Sequence, residues 1–532
     1  MGLLLCKEGH MIRINQLKID INYTENELKR KIIKTLKISE EQLVSYKLVK
    51  QSLDARKKPK VHYVCVVDAK VVNESKILSR NKQLVQAKVM EYEYPTSLPK
   101  ESPIIVGFGP AGLFAAYILA ELGLKPVVFE RGEDVDNRTL SVEEFWKTGD
   151  LKSNSNVQYG EGGAGTFSDG KLTTRSKDPR AKKVLEVLVR HGAPEEILYM
   201  NKPHVGTDIL KDVVKSMRAY ILEKGGTVHF NAYVKSFDVR EGHIKGIVLD
   251  NDELYQSDHV ILAIGHSARD TYEVLYNLGL DIEQKPFAMG VRIEHLQDTI
   301  DLNQYGTLDH REFLGASDYK LTHKASNGRS VYSFCVCPGG MVVASSSEPG
   351  GLVVNGMSEH ARNQKNINSA MLVQIQVEDF ESTHPLAGIY YQRKYEQKAF
   401  ELGGHNYHAP AETLGSFLNN EEHQLNRIIP SYKPAVKWTQ IKDCLPKVVY
   451  EALKEGLVAF GKKIEGFDAS DVVLTAIESR SSAPIRMNRD YTTMESNSVK
   501  GIYPIGEGAG YAGGIVSSAI DGIKVAEIVA TV

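Results

Sequence analysis

The sequence predicts an α/β fold: a Rossmann-like domain, an inserted mixed α+β domain, and an N-terminal ferredoxin-like α+β domain. Three observations carry this expectation. A chain of 532 residues is too long for one core and calls for roughly two to four domains. Residues 103–130 read as buried strand, glycine turn, apolar helix and second strand. Residues 11–94 read as β-α-β-β-α-β, the order of a split βαβ unit.

In the N-terminal part, "MIRINQLKIDI" alternates like a strand. "TENELKRKIIKTL" opens with Thr24 and Glu27 at capping-box spacing, and Leu28, Ile32, Ile33 and Leu36 share one helical face. Strands at 43–49 and 61–67, a helix at 74–85 and a strand at 88–92 complete the unit. The polar, proline-rich "YPTSLPKESP" marks a boundary, so the domains are expected at 1–95, 104–280, 281–465 and 466–532, with a linker at 96–103. The third segment is the inserted, substrate-side domain, and the fourth returns to the second. Met11 is an alternative start, because the patterned strand begins there.

Composition excludes several classes. A net charge of −2 and a pI near 6.8 give no whole-chain pull toward nucleic acid or an anionic membrane. Five cysteines without metal spacing make neither a disulfide framework nor a zinc site, and no metal is expected. They fit a reducing cytoplasm. The uncharged run 103–120 imitates a membrane span, but Gly107, Gly109, Pro110 and Gly112 at its centre favour a strand, a turn and a helix. The stretch Lys29–Lys60 is basic. It is read as a surface for docking a protein partner or as a lid, with nucleic acid the less favoured use, because the strands lack stacking aromatics.

The pattern G-x-G-x-x-G occurs three times, at 107–112, 160–165 and 508–513. Only the first lies between a buried strand and an apolar helix. There Gly107 allows the tight turn, Gly109 lets a pyrophosphate approach, and Gly112 lets helix and strand pack. Glu130, 18 residues past Gly112, ends the second strand and would accept from a ribose hydroxyl; Arg131 follows it. The other two matches read as backbone loops that touch the same nucleotide.

The segments "VGFGPAGLFAAYILAELGLKPVVFERG", "HVILAIGHSARDT" and "IYPIGEGAGYAGGIVSSAIDG" resemble FAD-dependent oxidoreductases of the glutathione-reductase-type FAD-binding fold. With "GEGGAGTFSDGKL" and "CPGG", the chain resembles a bacterial group of predicted FAD-dependent dehydrogenases that carry a small N-terminal domain. The resemblance implies one FAD held by Gly107, Gly109, Pro110, Ala111, Gly112, Glu130 and Arg131. It implies further contacts from Ala263 and Gly265, and from Gly506, Gly513, Gly514 and Ile515. Glu507 would hold the ribityl chain in place of the usual aspartate. In "GEGGAGTFSDGKL", Gly162, Gly163, Gly165 and Thr166 would supply backbone to the cofactor, with Ser168 and Lys171 facing its ring.

The chemistry is then an FAD-dependent dehydrogenase or reductase passing two electrons between a small molecule and a second donor or acceptor. NAD(P)H is one candidate donor. The alternative is an FAD-containing RNA-binding or RNA-modifying protein that uses the basic N-terminal domain. The absence of cysteine between Cys65 and Cys335 disfavours the dithiol class. Cys337 is the preferred thiol over the flavin. Arg292 and Arg480 would bind an anionic substrate, and His266 would relay a proton.

Overall fold

The computed structural model describes residues 6–90, 92–95, 102–174, 176–419, 421 and 427–531. The expected linker at 96–103 lies mostly outside them, as do the first five residues that bear on the Met1 or Met11 start.

The N-terminal unit comprises β1 (Cys6–Ile19), α1 (Glu25–Leu36), β2 (Leu43–Asp54), β3 (His62–Val71), α2 (Glu74–Arg80) and β4 (Val85–Met90). Its antiparallel sheet has the order β2-β3-β1-β4. Thr24 caps α1: Glu27 N–H donates to the Thr24 hydroxyl at 3.3 Å, and the Glu27 carboxylate accepts from Thr24 N–H at 2.7 Å. Leu28, Ile32 and Leu36 are buried in the unit's apolar core. Helix α2 stops at Arg80, five residues short of the expected end. The Asn81 side chain and carbonyl accept from Gln83 N–H and Leu84 N–H, a local turn that competes with the helix. The edge strand β2 is covered by the main body: Gln51 N–H donates to Tyr199 O at 2.7 Å, and Asn201 N–H to Gln51 O at 2.9 Å.

The main body is built on a five-stranded parallel sheet. Its centre is β5 (Ile104–Val106), flanked by β6 (Val127–Phe129) and then the strand Thr227–His229. On the other side lie the strands Val260–Leu262 and Ile502–Pro504. These strands are short and mostly apolar because a parallel sheet is covered on both faces. Between β5 and β6 runs α3 (Pro110–Glu121), where the ten residues 111–120 are all buried. The uncharged run 103–120 is therefore a strand, turn and helix, and no helix among the described residues is long and apolar enough to cross a membrane.

The second layer is a seven-stranded sheet that includes the strands Ser330–Cys337, Asn366–Ile375, Phe287–Leu296 and Val473–Glu478 as neighbours in that order. The strand Val473–Glu478 lies past residue 465, where the substrate-side domain was expected to end. Its pairing with Phe287–Leu296, far away in sequence, is what carries this sheet past 465.

Gly112 is in tight contact: a Cβ there would meet Gly107 O at 2.0 Å. Substituting Gly112→Val should lower the unfolding free energy of the cofactor-free protein by about 1–3 kcal/mol or more. An unchanged urea midpoint would contradict this packing.

Candidate functional site

One cleft of about 440 Å³ lies between the parallel sheet and the seven-stranded sheet. Its lining draws on all three glycine patterns. Gly107, Gly109, Pro110 and Ala111 line it from the first turn, and Glu130 and Arg131 from the end of β6. Gly160, Gly163, Gly165, Ser168 and Lys171 line it from the second, and Gly513, Gly514 and Ile515 from the third. Ala263, Gly265, Gly506 and Glu507 complete this wall. Gly112, Gly162 and Thr166 stand behind it. Gly112 sets the helix–strand approach, and a Cβ at Gly162 would meet Thr166 Oγ1 at 2.0 Å.

The three loops touch. A Cβ on Gly163 would meet Gly109 Cα at 2.9 Å, and one on Gly506 would meet the Ala111 methyl at 2.8 Å. The second pattern makes a 3-10 turn, Gly163–Phe167, rather than a strand–helix turn. Arg138, fully buried, fixes it. Its guanidinium donates to the carbonyls of Asn156 (2.9 Å), Val157 (2.9 Å), Glu161 (2.6 Å) and Gly163 (3.0 Å). Gly160, at φ +119°, has no Cβ because Arg138 Cδ passes 2.4 Å from where one would stand.

The donor set fits an FAD. The helices Pro110–Glu121 and Ile515–Val529 both begin at the cleft, where unpaired N–H groups and the helix dipole favour a pyrophosphate. At Gly265, Gly513 and Gly514 a Cβ would meet nothing within 4 Å, so these positions leave room for a cofactor to lie against the backbone. The Glu130 carboxylate is oriented by N–H groups of Phe108, Gly132 and Gly160 at 2.8–2.9 Å. Arg131 is held between Tyr159 and Tyr233, 4.5 and 4.3 Å from the ring centroids. Burial pushes the Glu507 carboxyl up to about 7, opposed by Lys285.

The residues expected to act on substrate are placed differently. Arg292 is enclosed. It ion-pairs with Glu478 at 2.5 Å and donates to Cys335 O (2.8 Å) and Asn355 Oδ1 (2.7 Å), so no face remains for a substrate carboxylate. Arg480 lines the cleft, but its guanidinium is taken by Glu396, Ser267 and Ser347. His266 lines the cleft as well. Burial, then Arg480 and Arg269, push its pKa down to about 3, so it is a neutral imidazole there. Cys337 is fully buried, and Cys335 is the thiol on the wall. Glu478 also lines it, with burial raising its carboxyl to about 7 against the pull of Arg292.

Arg138, Tyr159 and Tyr233 escaped sequence reading. Arg138 and Tyr233 have no motif beside them, and Tyr159, although it adjoins Gly160 of the second pattern, carries no signal of its own.

Two predictions test this site. Arg138→Met leaves four carbonyls without their donor. It should destabilise the protein by about 3 kcal/mol or more and weaken FAD retention at least about tenfold, read by denaturation and flavin fluorescence. The second concerns pH. Glu507 is raised when folded, so the unfolded chain releases its proton first, and the stability present below about pH 4.5 is lost as pH rises through about 7. Cofactor-free Glu507→Gln should therefore gain on the wild type from pH 5 to 8; parallel pH–stability curves would refute the assignment.

The chain matches the model of an FAD-dependent protein, C-terminal domain-like, over residues 286–481, and a domain of unknown function, DUF8436, over residues 11–70. It is 49% identical over 523 residues to an uncharacterised protein of Clostridium beijerinckii, covering 97% of this chain and 98% of that one. Among solved structures it is similar to halogenase PltM, as a variant in complex with FAD, at 10% identity and a TM-score of 0.38, over 79% of this chain and 68% of that one. It is also similar to the L-amino acid deaminase from Proteus vulgaris, at 12% identity and a TM-score of 0.32, over 82% and 95%. The chain belongs to the family of the clostridial protein, and its second half carries a domain of the FAD-dependent-protein type.

Proposed function

We propose that this protein is an oxidoreductase that passes two electrons between a small-molecule substrate and a second donor or acceptor through one FAD held in the cleft. The observation that carries this reading is the meeting of three glycine loops, remote in sequence, at one cavity that two helices enter by their N-termini. When bound, the isoalloxazine supplies reversible two-electron chemistry.

The chain's own residues divide the remaining work. Gly107–Ala111 and the start of the helix Ile515–Val529 hold the pyrophosphate, Glu130 the ribose and Glu507 the ribityl chain. Lys171, ion-paired with Asp169 at 2.9 Å, brings positive charge to the wall. There it would favour an anionic reduced state. Neutral His266 can orient a substrate by hydrogen bonding but does not carry a proton as a cation. Arg292 and Arg480 are both engaged internally, and Lys171, though paired with Asp169, is the cation on the wall proposed to face an anionic substrate. NADH and NADPH are the first donors to offer, and the N-terminal unit is proposed as the docking surface for a protein partner.

Anaerobic bleaching of the bound flavin against a metabolite panel that includes NADH and NADPH tests the reading. At least one compound should remove the absorbance near 450 nm within minutes, and oxidant should restore it. A protein that stays colourless when offered FAD would end this proposal, and a bound flavin that no donor bleaches would leave FAD a structural role.

A further inference from the structure

The strand Ser330–Cys337 pairs regularly with Asn366–Ile375 as far as Phe334, opposite Ala370. The next paired residue is Cys337, opposite Asn368, so one extra residue is accommodated in a bulge. Cys335 sits in that bulge with φ +42°, and the even alternation of the strand is broken there. As a result one thiol reaches the cleft and the other stands directly behind it. Cys335 lines the cavity, Cys337 is fully buried, and the Cys337 thiol donates to Cys335 O at 3.4 Å.

Two cations straddle the pair. The Lys171 ammonium donates to Val336 O, the carbonyl between the cysteines, and Arg292 donates to Cys335 O at 2.8 Å. Glu478 lies on the same wall, ion-paired with Arg292. Both cysteines are free. Nothing in the cofactor-binding arrangement uses them.

We propose that Cys335 and Cys337 form a two-electron dithiol–disulfide couple that exchanges electrons with the FAD in the cleft, which deepens the reading above and rests on it for the electron partner. Cys335 is the interchange thiol and Cys337 the resolving one. The adjacent Cys337 thiol, helped by the positive charges of Lys171 and Arg292, holds Cys335 well below the usual thiol range. Donation to Cys335, together with burial, pushes Cys337 up. From this thiolate–thiol form the step balances. The Cys337 S–H bond breaks and one S–S bond forms. Two electrons and that proton pass to the oxidised isoalloxazine, which becomes its singly protonated reduced anion. In reverse, the reduced cofactor opens the disulfide. The pair comes from the seven-stranded sheet, not from the segment after the nucleotide turn where sequence reading looks for it.

Two measurements test the proposal. In mixtures of oxidised and reduced dithiothreitol, wild-type protein is quenched with acid and N-ethylmaleimide, and the tryptic peptide 330–362 is weighed. The two labels should be lost together in one transition. Anaerobic dithionite titration of the holoenzyme should then take four electrons per flavin, falling to two in Cys335→Ser and Cys337→Ser. Two labels retained at every poise would overturn the couple. A disulfide that forms while the holoenzyme takes only two electrons would overturn its exchange with FAD. Should the protein bind no flavin, the labelling still decides the couple, and only the reading of the cleft as an FAD site fails.

Discussion

Arg138 organises the cleft from behind. A guanidinium with no exposed surface is expensive to desolvate, by several kcal/mol, and it is not offset here by a directly bonded carboxylate. The offset comes from four carbonyls of one loop, each a charge-assisted hydrogen bond worth about 1.5–3 kcal/mol. Burial still pushes its pKa down to about 10, which leaves it charged under any ordinary condition. That geometry turns the carbonyls of 156–163 inward and brings Gly163 to Gly109. The second loop is thereby part of the first turn's surface, although about fifty residues separate them.

The opposite wall is stiffened in another way. Arg269 and Arg480 share Glu396, and Arg269 and Arg393 share Glu348, so charges from four separate segments neutralise one another in the interior. Removing Glu396 would leave the buried Arg269 and Arg480 without their shared carboxylate. The network ties residues just after the strand Val260–Leu262 to the helix Ala387–Gly403, which joins the two sheets across the cavity. It also explains why Arg480 is a poor guide to substrate charge: its partner Glu396 lies 84 residues away and is invisible from the local pattern.

What could be read in the sequence was local. The turn at 107–112 is recognisable because strand, glycines, apolar helix and acid follow one another within 27 residues. Helix α1 is legible for the same reason, through its capping box and apolar face. Non-local facts were hidden. The bulge that separates Cys335 from Cys337 depends on the neighbouring strand, whereas a strict two-residue alternation puts both thiols on one face. The extent of the second sheet likewise depends on the strand Val473–Glu478 returning across a long insertion, which no composition shift announces.

The strand Ile502–Pro504 closes the edge of the parallel sheet, and the helix behind it brings its amino end to the cleft beside Gly107–Ala111. Synthesis runs from the other terminus, so the other four strands of this sheet leave the ribosome before that edge exists. Until then the nascent chain offers a nucleotide only half a grip. A complete pocket for the proposed flavin thus exists only once residues 502–529 have been made and have docked.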